Sequence, residues 1–189
     1  MFAVIFEVLP SETGYQRYLD IAAALRPKLD AIEGFVSIER FRSISNPGWI
    51  LSLSFWRDQT ALVRWRGDGE HHAAQSEGRL AIFTDYRIRV VQMLDGADDG
   101  GGNALIGLHE HAPDNDDTPH RRYESLSNAG KQVCLYDFNN SRAALAWQAQ
   151  ATANAAAPAH VLRGTVLRDY GLFDRQQAPQ HFASAKRHR

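Results

Sequence analysis

Ser43-Ile44-Ser45-Asn46-Pro47-Gly48, leading into Trp49-Ile50-Leu51-Ser52-Leu53-Ser54-Phe55-Trp56, returns 82 positions later as Ser125-Leu126-Ser127-Asn128-Ala129-Gly130, leading into Lys131 to Phe138. Seven identities keep that offset without a gap: Ser43, Ser45, Asn46, Gly48, Leu53, Ala61 and Trp65 meet Ser125, Ser127, Asn128, Gly130, Leu135, Ala143 and Trp147. Phe41/Tyr123, Leu51/Val133 and Trp56/Phe138 add similar pairs. A match that runs through a turn, a strand and a helix reads as two copies of one unit. A second offset of 74 joins Arg89 to Arg163 and Met93 to Leu167, so eight residues are missing between the Trp147 helix and the last strand.

Around this stretch the first unit reads as strand, helix, strand, strand, helix, strand. Residues 2–9 are apolar β-formers that stop at Pro10, which has no amide to give to a ladder. Tyr18, Leu19, Ala22, Leu25, Leu29 and Ile32 recur at helical spacing, predicting a helix from Tyr15 to Ile32 bent near Pro27. Phe35–Arg42 and Trp49–Trp56 read as strands about the Asn46-Pro47-Gly48 turn. Asp58 caps a helix containing Ala61, Leu62 and Trp65; Gly67 and Gly69 interrupt it, Glu70–Glu77 resumes it, and Leu80–Met93 is the fourth strand. That order is a split β-α-β, ferredoxin-like unit. Asp95–Gly102 is a polar linker, which sets domains at 1–94 and 103–175. In the second unit only about a dozen residues separate the strand Ala104–His109 from Tyr123, so the first helix is absent. The expected architecture is α+β, with tandem units pairing sheet to sheet as a pseudo-dimer, the second keeping the sheet and giving up the pocket.

Composition narrows the functional classes. The 189 residues carry 21 Lys and Arg against 22 Asp and Glu, which gives no reason to expect nucleic acid as a partner, and the basic tail Lys186–Arg189 reads as a solvated end. Cys134, the single cysteine, sits in an alternating strand as a core residue and excludes an intrachain disulfide. The start Met1–Phe6 meets Glu7 too soon for a leader or a membrane span, so a cytoplasmic protein is expected. No phosphate-binding glycine loop, Gly-x-Ser-x-Gly or His-x-x-x-His is present, and His109 with His111 precedes an acidic loop as surface histidines.

Residues able to carry chemistry gather between the two halves of the interrupted helix: Trp56, Trp65, Arg66, Glu70, His71, His72, Gln75 and Arg79. Adjacent histidines point about 100 degrees apart on a helix, so one faces inward and one faces solvent; His72, seven residues after Trp65, is preferred. Trp147 persists in the second unit without the histidines, which is also what a plain core tryptophan at position 65 would do.

The stretches Phe2–Phe6, Ile32-Glu33-Gly34-Phe35 with Glu39-Arg40-Phe41, Leu53–Asp58, Trp65-Arg66 leading to His71–Gln75, and Gly78–Val90 make residues 1–94 resemble the antibiotic biosynthesis monooxygenase family of dimeric α+β barrel proteins. Arg168-Asp169-Tyr170-Gly171-Leu172-Phe173-Asp174-Arg175 is similar to the segment that ends single-unit members, here placed after the second unit. The resemblance implies a pocket between sheet and helices and cofactor-independent oxidation of a small aromatic or enolisable molecule. Trp65 would be a wall, His72 or His71 the base, and Arg66 or Arg79 the stabiliser of an oxyanion. A non-catalytic binding protein on the same scaffold is the alternative. A haem-binding branch is a further one, although its ligand histidine would fall near Ala74 and Gln75, and its first-strand asparagine at Glu7. A homodimer is expected, to cover the sheet face left by the missing helix.

Overall fold

The computed structural model describes residues 1–95, 105–110, 118–153 and 161–179. In chain order these form β1 (Phe2–Pro10), α1 (Gly14–Ala24), α2 (Arg26–Asp30), β2 (Phe35–Ser43), β3 (Ile50–Trp56), α3 (Gln59–Gly67), α4 (Gly69–Glu77), β4 (Phe83–Leu94), β5 (Leu105–Glu110), β6 (His120–Ser125), β7 (Gln132–Phe138), α5 (Ser141–Ala153) and β8 (Val161–Gly171). All but the first residue of the predicted linker, the side chains of His109 and His111, and the basic tail lie outside the described residues. None of the described helices is long and apolar enough to cross a membrane.

Two boundaries differ from the sequence reading. The long first helix is two helices, with Pro27 in the first turn of α2, where its missing amide costs nothing. The fourth strand starts at Phe83 rather than Leu80, because Gly78–Ile82 winds as one π-helical turn. At Gly78 the Phe83 ring lies 2.6 Å from where a Cβ would stand, and the Ile82 carbonyl accepts from the Ser11 amide; Leu80 is left 87% exposed.

The eight strands close a barrel in the order β1-β3-β2-β6-β7-β5-β8-β4. Each half supplies four antiparallel strands, and the halves join at β2–β6 and β4–β8. Both joints are isologous: Phe41 faces Ser125 while Ser43 faces Tyr123, and Val91 faces Val166 while Met93 faces Gly164. This is the pairing of a two-fold dimer made within one chain, and it leaves no strand edge open. The two 82-residue-related turns have the same bonds. Ser43 Oγ accepts from the Asn46 amide and Ser125 Oγ from the Asn128 amide, both at 2.9 Å, and Gly48 and Gly130 take φ of 88° and 79°. Asp58 and Asn140 cap α3 and α5 alike, each accepting from the amide three residues on.

The ladders correct the second offset. Ile5 pairs with Leu53 and Arg89, and Leu108 pairs with Leu135 and Leu162. Since Leu53 corresponds to Leu135, Arg89 corresponds to Leu162 and not to Arg163. A slip of one residue exchanges the faces of a strand, and the two arginines do point apart. Arg163 bonds Gln148 of α5 outside the barrel, whereas Arg89 lies inside it.

Inward-facing Ala3, Ile5, Leu53, Val91, Leu108 and Leu135 fill the barrel. At one end stands a charged cluster. Glu7, 6% exposed, accepts from Arg89, Arg121 and the Tyr123 hydroxyl, and Asp137 accepts from the same two arginines. Two carboxylates balance two guanidiniums, so the buried Glu7 and Arg89 of the first half and the more exposed Arg121 and Asp137 of the second leave no net charge. Burial, then the Glu7 carboxylate, pushes the Tyr123 hydroxyl up, so it stays a donor.

Outside the barrel the halves differ. Over β5 and β7, Trp147 of α5 packs on Tyr136 and Phe138, with ring centroids 4.6 and 5.4 Å away, and lies flat on Gly107. A Cβ at Gly107 would stand 2.5 Å from the indole. Gly107→Ala should destabilise by about 1–3 kcal/mol through overpacking, read as a lower thermal midpoint with the cavity of the first half unaffected.

Candidate active site

In the first half the corresponding space is open. A cavity of about 230 Å³ lies between the outer face of the sheet and α1–α4. Strand registers place its floor in two rows. One runs Arg40, Ser52, Phe6, Ile88, Tyr170 across β2, β3, β1, β4 and β8; the next runs Ile38, Ser54, Val4, Val90, Arg168. The difference from the second half is visible residue by residue. Ser54 stands where β7 carries Tyr136, so the ring that Trp147 packs on is missing here, and Val4 stands where Gly107 lets that indole lie against the sheet. Ser54 also accepts from Trp56 Nε1 at 2.9 Å, which fixes the indole edge at the cavity wall. Ser54→Tyr, copying β7, should abolish uptake of an apolar fluorophore such as N-phenyl-1-naphthylamine while the far-ultraviolet circular dichroism stays unchanged.

The roof owes its shape to a break in the helix. Asp68 leaves helical geometry, with ψ of 130°, and its carboxylate caps α4 by accepting from the His71 amide at 2.9 Å. The chain therefore turns between α3 and α4, and the His71 ring falls back onto Trp65, parallel to it with centroids 4.2 Å apart. His71 Nδ1 lies 3.0 Å from the Trp65 carbonyl oxygen. A carbonyl can only accept, so Nδ1 carries the hydrogen and the lone pair of the neutral ring is at Nε2. Burial holds the His71 pKa below the ordinary histidine value, against smaller opposing effects of the Trp65 carbonyl and Asp68. The imidazole is thus a fixed, neutral base at the cavity wall.

The predicted site residues divide accordingly. Trp56, Trp65, Arg66, His71 and Gln75 line the cavity. His72, preferred on helical register, faces solvent: the break at Asp68 resets the phase, so the histidine six residues after Trp65 is the one that meets it. Glu70 is exposed in an ion pair with Lys28. Arg79 sits outside the lining and donates to the Tyr86 hydroxyl at 2.7 Å, as Arg175 does at 2.8 Å. Of the positions relevant to haem, Ala74 and Gln75 face the cavity without an imidazole, and Glu7 faces the barrel interior instead.

Sequence reasoning missed Tyr18, Arg40, Arg168 and Tyr170. Arg40 donates to the Tyr18 hydroxyl over a long 3.4 Å. Arg168 and Tyr170 come from the other half of the chain, through a bulge on β8: Val91 pairs with Val166 but Val90 with Arg168, leaving Leu167 as the extra residue. The bulge turns Arg168 and Tyr170 outward over the first half's cavity. Their resemblance to a C-terminal family segment was legible, but their destination was not.

An eight-stranded barrel of paired α+β units with a pocket between sheet and helices defines a dimeric α+β barrel protein. Comparison with known proteins agrees. The family described as Antibiotic biosynthesis monooxygenase matches residues 1–77. A protein of Pyricularia oryzae named Jasmonate monooxygenase ABM is 34% identical over 222 aligned positions, covering 98% of this chain and 100% of its own length. An uncharacterized Bacillus subtilis protein, YqjZ, is 33% identical over 98 positions, covering 49% of this chain and 78% of its own. The crystal structure of aldoxime dehydratase shares the fold, with a TM-score of 0.54 at 10% identity over 87% of this chain and 80% of that one. The chain belongs to the antibiotic biosynthesis monooxygenase family.

Proposed function

We propose that the protein is a cofactor-independent monooxygenase that oxidises an activated methylene of a small, largely apolar molecule. The observation that carries this reading is the neutral His71, stacked on Trp65 with its lone pair at Nε2, in a cavity walled mostly by aliphatic and aromatic side chains. His71 takes a proton from a carbon next to a carbonyl or aromatic ring, and the carbanion, drawn as an enolate, delocalises its charge towards the arginines of the lining. The substrate supplies the electrons. One electron passes to dioxygen, the two radicals join in a C–O bond, and the resulting peroxide breaks its O–O bond with loss of water, giving R–CO–R′ and H2O from R–CH2–R′ and O2. Trp65 keeps the imidazole in one plane, and the apolar walls keep water from the carbanion.

The name of the Pyricularia oryzae relative makes jasmonate, a cyclopentanone with an acidic side chain, the first substrate to test, and anthrone-type ketones the second. Oxygen uptake is measured with each, with a mass gain of 14 in the product. Consumption of no ketone in either series, with the protein folded, would remove the proposal and leave a binding protein on the same scaffold.

The acid limb of activity follows from the site. With its folded pKa below the ordinary 6.5, His71 is the free base above that lowered value and becomes protonated only as pH falls through it. Activity should therefore hold through pH 6.5 and fall below it. Stability moves the same way: the unfolded chain takes up this proton first, so folding loses stability as pH falls below 6.5 and the loss is complete below the folded value.

A further inference from the structure

The cavity has an electrical asymmetry that its apolar chemistry does not require. Arg40, Arg66 and Arg168 all line it, while neither aspartate nor glutamate does. Among the described residues none of the three takes part in an ion pair, although other arginines of this chain do so repeatedly, Arg17, Arg26, Arg57 and Arg87 among them. Half-buried guanidiniums without a counter-charge are costly to maintain.

The three are unequally distributed. Arg40 stands at the β2 end of one floor row and Tyr170 at the β8 end of the same row, four strand spacings away, or roughly 19 Å measured along the curved sheet. Arg168 is beside Tyr170 at the β8 end, and Arg66 approaches from α3. Burial, then Tyr86, pushes the Tyr170 hydroxyl up, so it stays protonated, while Arg175, which lies over its ring at 5.7 Å outside the lining, and then Arg66 and Arg168 pull it the other way. Two cations and one hydroxyl donor thus converge at one end, and aliphatic and aromatic side chains fill the length between.

We infer that the ligand of this cavity is an amphipathic monoanion, its carboxylate seated at Arg66, Arg168 and Tyr170 and its apolar body lying along the floor towards Arg40. The second half of the chain is then part of the binding site: β8 supplies the anion's contacts, positioned by the bulge at Leu167. The inference needs only that the cavity takes a ligand, and it stands apart from whether that ligand is oxidised.

Calorimetric titration of the whole chain with phenylacetate and 1-naphthylacetate, each beside its methyl ester, tests it. The better-fitting acid should bind about 10- to 100-fold more tightly than its ester, as expected for a charge-assisted contact. Arg168→Gln and, independently, Arg66→Gln should reduce the acid towards the ester and leave the ester unchanged; Arg66 lies on a half-exposed helix, so its loss tests the site even if β8 tolerates no change. His71→Ala should leave the preference for acid intact, which separates this site from the chemistry. Equal binding of acid and ester, binding of no acid in the series, or a preference that survives the Arg66→Gln/Arg168→Gln double variant each overturns the inference. Retained preference, with no oxygen uptake from any of the ketones named above, would instead sink the monooxygenase proposal alone.

Discussion

Replacing His71 by Ala should lower turnover by roughly 10²–10⁴-fold, the usual contribution of a positioned general base, with little change in thermal stability. The ring stacks on Trp65 and bonds to a carbonyl that also accepts from the Asp68 amide at 3.2 Å, so the fold does not hang on it. The residual rate should lose the acid limb below pH 6.5, since the titrating group is gone. His72→Ala is the control: an exposed side chain on the same helix, expected to leave both rate and pH profile as they were. Equal losses in the two variants would refute the assignment of the base to His71. Loss of the rate without loss of the acid limb would mean that another group titrates.

Glu7→Gln should have the largest effect on stability. Arg89, 1% exposed, and Arg121 share Glu7 and Asp137. The substitution removes one of two carboxylates facing two guanidiniums and leaves a buried positive excess, a change that costs about 3–5 kcal/mol. For a chain of this size that is a fall of roughly 6–20 °C in thermal midpoint. Glu33→Gln, which breaks exposed pairs with Arg57 and Arg64, should leave the midpoint unchanged. Because Glu7 belongs to the first half and Arg121 to the second, the Glu7→Gln chain should also unfold with its halves uncoupled, seen as a broader transition. A sharp transition at the original midpoint would show that the cluster does not hold the halves together.

The fold was legible because its signals are local. The repeated Ser-x-Ser-Asn-x-Gly turns fix two hairpins, Asp58 marks a helix start, and period-two runs mark strands. The site was legible only in part. Trp65, Arg66 and Gln75 lie close in sequence and all reach the cavity, but choosing between His71 and His72 required the phase of α4, which Asp68 resets. Arg168 and Tyr170 were hidden for a different reason. Which face they take depends on one extra residue in β8 and on the pairing of β8 with β4 across the chain. The spurious match of Arg89 with Arg163 failed in the same way, since composition carries no strand register. The barrel-end cluster joins residues as far apart as Glu7 and Asp137, and no local pattern announces it.

The contrast between Ser54 and Tyr136 has a genetic side. In a barrel made from two identical chains every codon is read into both halves, so a mutation that fills one pocket fills the other, and a mutation that recruits a strand-end arginine recruits it twice. One chain carrying both halves lifts that constraint. Trp147 could settle onto Gly107 and turn its half into a brace, β8 could lend side chains to its neighbour, and neither change had to be tolerated at the site that kept its space.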